Sequence, residues 1–203
     1  ACGEIGRNLI LYYSKFSNKK IIALDLSESK NKTKIYKFIK GSILDQTTLN
    51  DLSEKYIIED IYHLAAILSS KAEKNPELAE DVNVRGTINL FNLALNQNLK
   101  NKTITKIFFP SSIAVYKIKA ALKSKNNYIN ENMFCNPKTI YGQHKLFCEN
   151  IGKALDKYGN ELNLKLDFST YNIVNSKVNE NCKNHYQFRF LINFTSMNIF
   201  RKH

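Results

Sequence analysis

IYHLAAILSSKAEKNPELAEDVNVRGTINLFNLALNQNLKNKTITKIFFPSS, residues 61–112, is the stretch on which the architecture turns. It opens on an apolar run, IYHLAA (61–66), that ends in small residues. A long helical pattern follows over about 76–97, with Leu78, Val82, Ile88, Leu90, Phe91 and Leu95 supplying the apolar positions. Pro76 falls in the first turn of that helix, where its missing N–H is not needed. KIFFPSS (106–112) is a second apolar run, broken by Pro110 at its carboxyl end. Both runs are continuously apolar rather than alternating, which predicts strands buried on both faces. Strand, helix, strand is a βαβ unit, and it implies a parallel sheet.

The alternation continues outward from this unit. Upstream, IIALDL (21–26) reads as a strand, IYKFIKGS (35–42) as a weaker one, and Thr47–Lys55 as a short helix. Ile5, Leu9, Tyr12, Tyr13 and Phe16 sit at helical spacing near the start of the chain. Downstream, a polar loop covers about 117–138, a helix about 139–158, and LKLDFSTYNIV (164–174) a further strand. The expected class is α/β with a doubly wound parallel sheet, formed by one domain over residues 1–176. Residues 177–203 are a basic, Asn-rich tail in which no regular element is expected.

Composition narrows the function. The chain has 203 residues and 30 Lys+Arg against 18 Asp+Glu, a formal net charge of +12. The lysines are dispersed, so they are expected to be solvated surface, including Lys117, Lys119, Lys123 and Lys125 in one polar loop. A nucleic-acid surface asks instead for clustered basic residues interleaved with aromatics, so no nucleic-acid partner is expected. No apolar run approaches the ~20 residues of a membrane span. Cys2, Cys135, Cys148 and Cys182 form no CxxC pair, so neither a zinc site nor any other metal is expected. The chain opens ACGEIGRNLI, without the pattern of a signal peptide. An intracellular location, cytoplasmic or mitochondrial, with reduced thiols is therefore expected.

Two groups of residues carry chemistry. Gly3 and Gly6 read as the last two glycines of a G-x-x-G-x-x-G turn. Gly3 lets the backbone approach a pyrophosphate, Gly6 lets the helix pack closely on the sheet, and the helix N-terminus supplies N–H donors. Asp25 follows Gly6 by 19 residues at the end of a strand. A carboxylate there accepts from ribose hydroxyls and repels a 2′-phosphate, which favours NAD over NADP. The second group is Tyr141 and Lys145, four residues apart near a helix start and so on one face. An ammonium close to a phenol lowers its pKa toward the range of a general base. Ser111 and Ser112 end the preceding strand, at the carboxyl edge where open parallel sheets bind ligands. Among single residues, His63 is expected to be a satisfied, half-buried histidine, His144 to be solvated and Cys148 to be core. Glu73 and Glu77 are expected to favour the dipole at a helix start.

The segments IYHLAAILSSKAEKNPELAEDVNVRGTINL (61–90), FFPSSIAVY (108–116) and NPKTIYGQHK (136–145) resemble the extended short-chain dehydrogenase/reductase superfamily, which has the Rossmann-like NAD-dependent epimerase/dehydratase fold. Within it, the likeness is nearest to the short-chain L-threonine 3-dehydrogenases. The resemblance implies Tyr141 as catalytic base, Lys145 as its pKa partner and a ribose contact, and Ser112 on the reacting oxygen, with Ser111 the neighbouring candidate. It implies Ser69 on the substrate's amino-acid end, Leu64, Ala65, Ala66 and Ile43 along the cofactor, and Asn83 beside it. The implied reaction passes a hydride from C3 of L-threonine to NAD and yields 2-amino-3-ketobutyrate. A homodimer through the two long helices is implied as well. A nucleotide-sugar epimerase or dehydratase of the same fold is the alternative, as is a dinucleotide-binding remnant without turnover.

The resemblance also sets out departures. It implies a first strand and a first glycine ahead of Ala1, and a substrate-covering part that residues 177–203 do not resemble. Ser42 stands where relatives carry an acid near the adenine. Lys117 replaces a glycine, and Thr170, Tyr171, Asn172 and Ile173 match the relatives' segment only at the tyrosine.

Overall fold

The computed structural model describes residues 1–28, 35–116, 135–158 and 167–171. Helix α1 (Glu4–Phe16) leads into β1 (Ile22–Asp25), which is followed by β2 (Lys37–Lys40) and α2 (Gln46–Lys55). Next come β3 (Asp60–Tyr62), α3 (Ser69–Lys74) and α4 (Pro76–Glu80). A π-helical turn (Asp81–Arg85) joins α4 to α5 (Gly86–Asn101). After β4 (Lys106–Pro110) and a 3-10 turn (Ile113–Val115), the described chain closes with α6 (Ile140–Tyr158) and β5 (Asp167–Tyr171). The lysine cluster at 117–125, Cys182, Asn172, Ile173 and the tail at 177–203 lie outside the described residues.

Among the described residues, every pairing between strands is parallel, as the apolar runs predict. The strands form two ladders, β1–β2 and β3–β4–β5. The break between β1 and β3 falls where the first strand of a 3-2-1-4-5-6 sheet belongs. Side chains hold the two ladders together across it. On one face, Leu49 and Leu52 of α2 and Leu90 and Leu93 of α5 pack on Ile22, Leu24, Ile39 and Ile61. Further along that face, Phe91 and Ala94 of α5 meet Ile107, Ile151 and Leu155. Pleating sends alternate residues to the opposite face. There Tyr13 of α1 stacks on Tyr62, and Tyr62 on Phe108.

Local chemistry explains the helix ends. Asp45 caps α2 by accepting from Thr47 N at 3.0 Å. Asn75 caps α4 by accepting from Leu78 N, with Pro76 in the first turn. Gln97 is fully buried, donates to Ser53 O and Tyr56 O, and accepts from Ile58 N. It thereby satisfies the carboxyl end of α2, whose carbonyls have no helical partner.

Three sequence expectations need correction. The strand expected over 61–66 stops at Tyr62, and His63 to Ala66 leave the ladder after one more bond, from His63 N to Phe108 O. The helix expected over 76–97 is not uniform. It is interrupted by the π turn and preceded by α3, which periodicity alone did not reveal. Of the strand expected over 164–174, residues 167–171 are strand and the remainder lies outside the described residues.

Candidate active site

The carboxyl edge of β4 and the first three turns of α6 build the reactive corner. Gly142 sets their separation: a Cβ there would stand 2.4 Å from Ala114 O and 2.9 Å from Pro137 Cβ. Only glycine lets α6 sit directly on the 3-10 turn. Glu73, in the last turn of α3, accepts from Ile140 N at 2.7 Å and favours the positive amino end of α6. Its role at a helix start thus holds for a different helix from the one expected.

Tyr141 and Lys145 share one face of α6, with the Lys145 Nζ 5.8 Å from the Tyr141 ring centroid. Ser112 lies close enough to the Tyr141 hydroxyl to lower its pKa. Ser112 Oγ also accepts from Ala114 N at 3.2 Å, which leaves the Ser112 proton free to point at an oxygen. Lys145 is 6% exposed. Its Nζ donates to Pro110 O at 2.7 Å and lies 4.3 Å over the Phe109 ring. Burial pulls its pKa down to about 8, against the raising influence of Cys148 and Glu149. Tyr141 departs from the sequence expectation: burial raises its pKa, and Ser112 only partly offsets this. With Lys145 directed at Pro110 O, the resting side chain is a neutral phenol.

The two serines separate. Ser111 turns away from Tyr141 and donates to the buried Glu149 carboxylate, so it does not join the corner. Asn83 is also committed elsewhere. Its amide accepts from Ile67 N at 2.7 Å and donates to Ile67 O at 2.9 Å, which clamps the loop that carries Leu64, Ala65 and Ala66. Ala65 is exposed and Leu64 and Ala66 are half-buried, on the carboxyl side of β3. Ser69 is the exposed first residue of α3.

Beneath this loop lies a polar cluster. Thr87 Oγ1 donates to Asn83 O, so the 2.8 Å contact with His63 Nε2 requires that nitrogen to carry the proton. His63 Nδ1 is then a bare, buried acceptor with no hydrogen-bond partner. Burial and the nearby Lys145 push the His63 pKa down to about 3. His63 is therefore neutral and fully buried rather than half-buried. Cys148 is core as expected, with its thiol raised to about 11 by burial. His144, expected to be solvated, is half-buried: its Nδ1 is shielded and has no partner among the described residues, and burial lowers its pKa against Glu80 and Glu73.

At the other end of the edge, a Cβ at Gly3 would meet nothing within 4 Å, so space is open over the first turn of α1. That helix start has no side-chain cap and favours an anion. Gly6 differs from its expected role: the surface it permits is the backbone of Ala1, whose O would lie 2.3 Å from a Cβ. Asp25 ends β1. Its Oδ2 accepts from Cys2 N at 2.7 Å, and its Oδ1 from Ser27 N at 2.9 Å. Burial raises the Asp25 pKa, and the backbone amides of Ser27 and Cys2 lower it. Each oxygen keeps lone-pair capacity for ribose hydroxyls. Ile43 packs its side chain on Gly86, where a Cβ would be 2.4 Å from Ile43 Cδ1. It is thus tied to the α5 core as much as to the open edge. An uncapped helix start, an open glycine face, a strand-end carboxylate and a buried lysine at the carboxyl ends of the strands fit a dinucleotide.

Residues 1–168 match the NAD dependent epimerase/dehydratase family. The chain belongs to this family. NAD is its cofactor, and the fold is the Rossmann-like α/β fold of its structural neighbours. A monomeric L-threonine 3-dehydrogenase from a metagenome, in apo form, is 37% identical with a TM-score of 0.69, covering 83% of this chain and 50% of that one. The bovine mitochondrial L-threonine 3-dehydrogenase is 28% identical over 153 residues, 74% of this chain and 38% of that protein. A human protein named inactive L-threonine 3-dehydrogenase, mitochondrial, is 28% identical over 76% of this chain and 64% of its own length. The chain spans about half the length of most of the relatives it matches.

Residues decisive for this corner that the sequence did not single out are Gly142, Glu149 and Thr87. For Gly142 a signal existed: a glycine directly after the tyrosine, inside a helix, is disfavoured unless something approaches closely.

Proposed function

We propose that the chain carries the Tyr141–Lys145–Ser112 site of an NAD-dependent L-threonine 3-dehydrogenase, oxidising C3 of L-threonine to 2-amino-3-ketobutyrate. The observation that carries the proposal is Tyr141 and the buried Lys145 on one helix face, with Ser112 at the strand end close enough to lower the Tyr141 pKa. The 37% identical threonine dehydrogenase supports the substrate.

Bound NAD supplies the nicotinamide ring that accepts the hydride from C3. The chain's own residues manage the proton and the pose. Lys145, protonated at neutral pH, favours the phenolate form of Tyr141 when its ammonium swings from Pro110 O toward the cofactor ribose. Tyr141 Oη then takes the proton of the C3 hydroxyl as the carbonyl forms. Ser112 donates to the same oxygen and orients it. Ser69, exposed at the start of α3, faces the amino-acid end of the substrate. Gly3 and Asp25 hold the pyrophosphate and ribose side, and Gly6 supports it by letting the backbone of Ala1 close on the helix. Leu64, Ala65, Ala66 and Ile43 line the cofactor edge, and Asn83 acts on it by fixing Ile67. Ser111 is left out, because its hydroxyl belongs to Glu149.

A homodimer is part of the proposal. Leu78 on α4 and Phe147 on α6 are exposed apolar side chains on two adjoining helices. Phe147→Glu should convert a dimer to a monomer by light scattering, whereas an unchanged mass sinks this part. Cys2, Cys135 and Cys148 are free thiols, which suits a reducing, intracellular compartment. No helix among the described residues is long and apolar enough to cross a membrane.

The test is NADH formation with L-threonine, with UDP-glucose as the competing substrate class. Tyr141→Phe should lower turnover by about 10²–10⁴-fold with NAD binding kept. Turnover of the sugar nucleotide and not of threonine would overturn the substrate; full activity in Tyr141→Phe would overturn the mechanism.

A further inference from the structure

Among the described residues, the formally charged side chains that are buried are Lys145 and Glu149, 6% and 1% exposed. They have opposite charge and lie four residues apart on α6, on one helix face. Charges are rarely buried without a counter-charge, and removing one member of such a set leaves the other stranded. Among the described residues, Glu149 has two direct partners. Its Oε1 accepts from Ser111 Oγ, and its Oε2 from Lys153 Nζ at 3.1 Å. Lys153 reaches in from solvent, with its side chain 56% exposed. No substrate-side group is within the reach of Glu149 among these partners, so the carboxylate acts through its neighbours.

We propose that Glu149 is a positioning residue of the site: it draws Ser111 out of the corner so that Ser112 alone faces Tyr141, and it is the buried counter-charge that keeps Lys145 an ammonium. The proposal rests on reading Tyr141 and Lys145 as the reactive pair. Ser111 follows β4 directly and Ser112 has extended backbone, φ −151° and ψ 150°, so consecutive side chains there project to opposite sides. Anchoring the Ser111 hydroxyl on α6 therefore fixes which way the next residue points. The electrostatic part follows from the dryness of the corner. Burial favours loss of the Lys145 proton, while Glu149 and Cys148 work against that loss. The other groups facing the pair are His63 from the loop after β3, Tyr141 and Lys153 on α6, and Cys135 ahead of α6. His63 and Tyr141 are neutral near pH 7, and Cys135 and Cys148 remain thiols. Lys153 is cationic and draws part of the Glu149 charge outward. The net negative influence on Lys145 therefore comes from Glu149.

The experiment is a pH titration of the lysine side-chain ammonium groups by ¹⁵N NMR on the full chain without cofactor or substrate, with the Lys145 signal assigned by its loss in Lys145→Arg. In Glu149→Gln, which preserves shape and an acceptor for Ser111, the Lys145 midpoint should fall by about one unit. Glu149→Asp should restore part of that shift. Lys153→Met, a change at an exposed position, should raise the midpoint, because the Glu149 charge is then less shared. This variant decides the question even where Glu149→Gln does not fold. A Lys145 midpoint that stays put in both variants overturns the proposal, and so does an equal fall in Glu149→Gln and Glu149→Asp. Because the titration involves no substrate, it stands apart from whether threonine is turned over. In the active enzyme, the alkaline loss of kcat/KM should move to lower pH in Glu149→Gln, with KM for threonine unchanged.

Discussion

The carboxyl ends of β4 and β1 belong to two ladders and are built from different materials. At β4, the corner is dry. Ile107, Phe109, Val115, Cys148 and Glu149 are buried, and α6 rests on backbone through Gly142. At β1, Asp25 is held by backbone amides, and α1 buries only Gly6 while Phe16 stands 71% exposed. Packing fixes the proton-handling corner before any ligand arrives. The nucleotide end is set by hydrogen bonds in partial contact with water, where each is worth less. Chemistry that needs sub-ångström geometry sits on the rigid side, and ribose and phosphate recognition on the softer one.

The sharpest contrast is between two glycines. Gly142→Ala forces a Cβ against Ala114 O, so overpacking should cost roughly 1–3 kcal/mol. It should also separate Tyr141 from Ser112. A Tm within a degree of the wild type would show that α6 is not seated as tightly as described.

The buried histidine gives the next effect. The His63 pKa is lowered from 6.5 to about 3 on folding. The unfolded chain therefore binds more protons between those values. Stability from this residue is complete above pH 6.5 and is lost as pH falls toward 3. His63→Gln keeps a donor for Thr87 and cannot titrate. Its Tm should therefore fall less steeply than that of the wild type between pH 6.5 and 4. Parallel curves would mean that His63 is hydrated in solution.

The smallest stability effect belongs to the softer end. Gly3 has φ −65°, open to any residue, and a Cβ there touches nothing. Gly3→Ala should change stability by less than about 1 kcal/mol yet weaken NAD binding measurably, since the methyl fills the space over the helix start. A large loss of Tm would erase the contrast between the two ends.

Much of this was legible in the sequence, for reasons that differ by residue. Apolar runs reported the strands because burial on both faces leaves no polar positions. Tyr141 and Lys145 were legible because four-residue spacing on a helix fixes their shared face. The choice between Ser111 and Ser112 was not, because it depends on where α6 lies across the strand. Glu149 looked like any helix-surface acid, since its burial and its bond to Ser111 depend on how α6 packs on the strand end. The π turn was hidden for a similar reason: helical periodicity does not register one extra residue in a turn, and the Asn83–Ile67 clamp within that turn is tertiary. The expected fall in the Tyr141 pKa missed because spacing gives proximity to Lys145 but not burial or the pull of Pro110 O.

The central claim is that the edge from Gly3 and Asp25 to Tyr141 and Lys145 is one NAD site. Calorimetric titration of the chain with NAD, with NADP as control, tests it most directly. The account predicts NAD binding in the micromolar range, much weaker NADP binding, and loss of NAD binding in Asp25→Ala with the fold intact. Equal affinity for the two nucleotides, or NAD binding indifferent to Asp25→Ala, would contradict it.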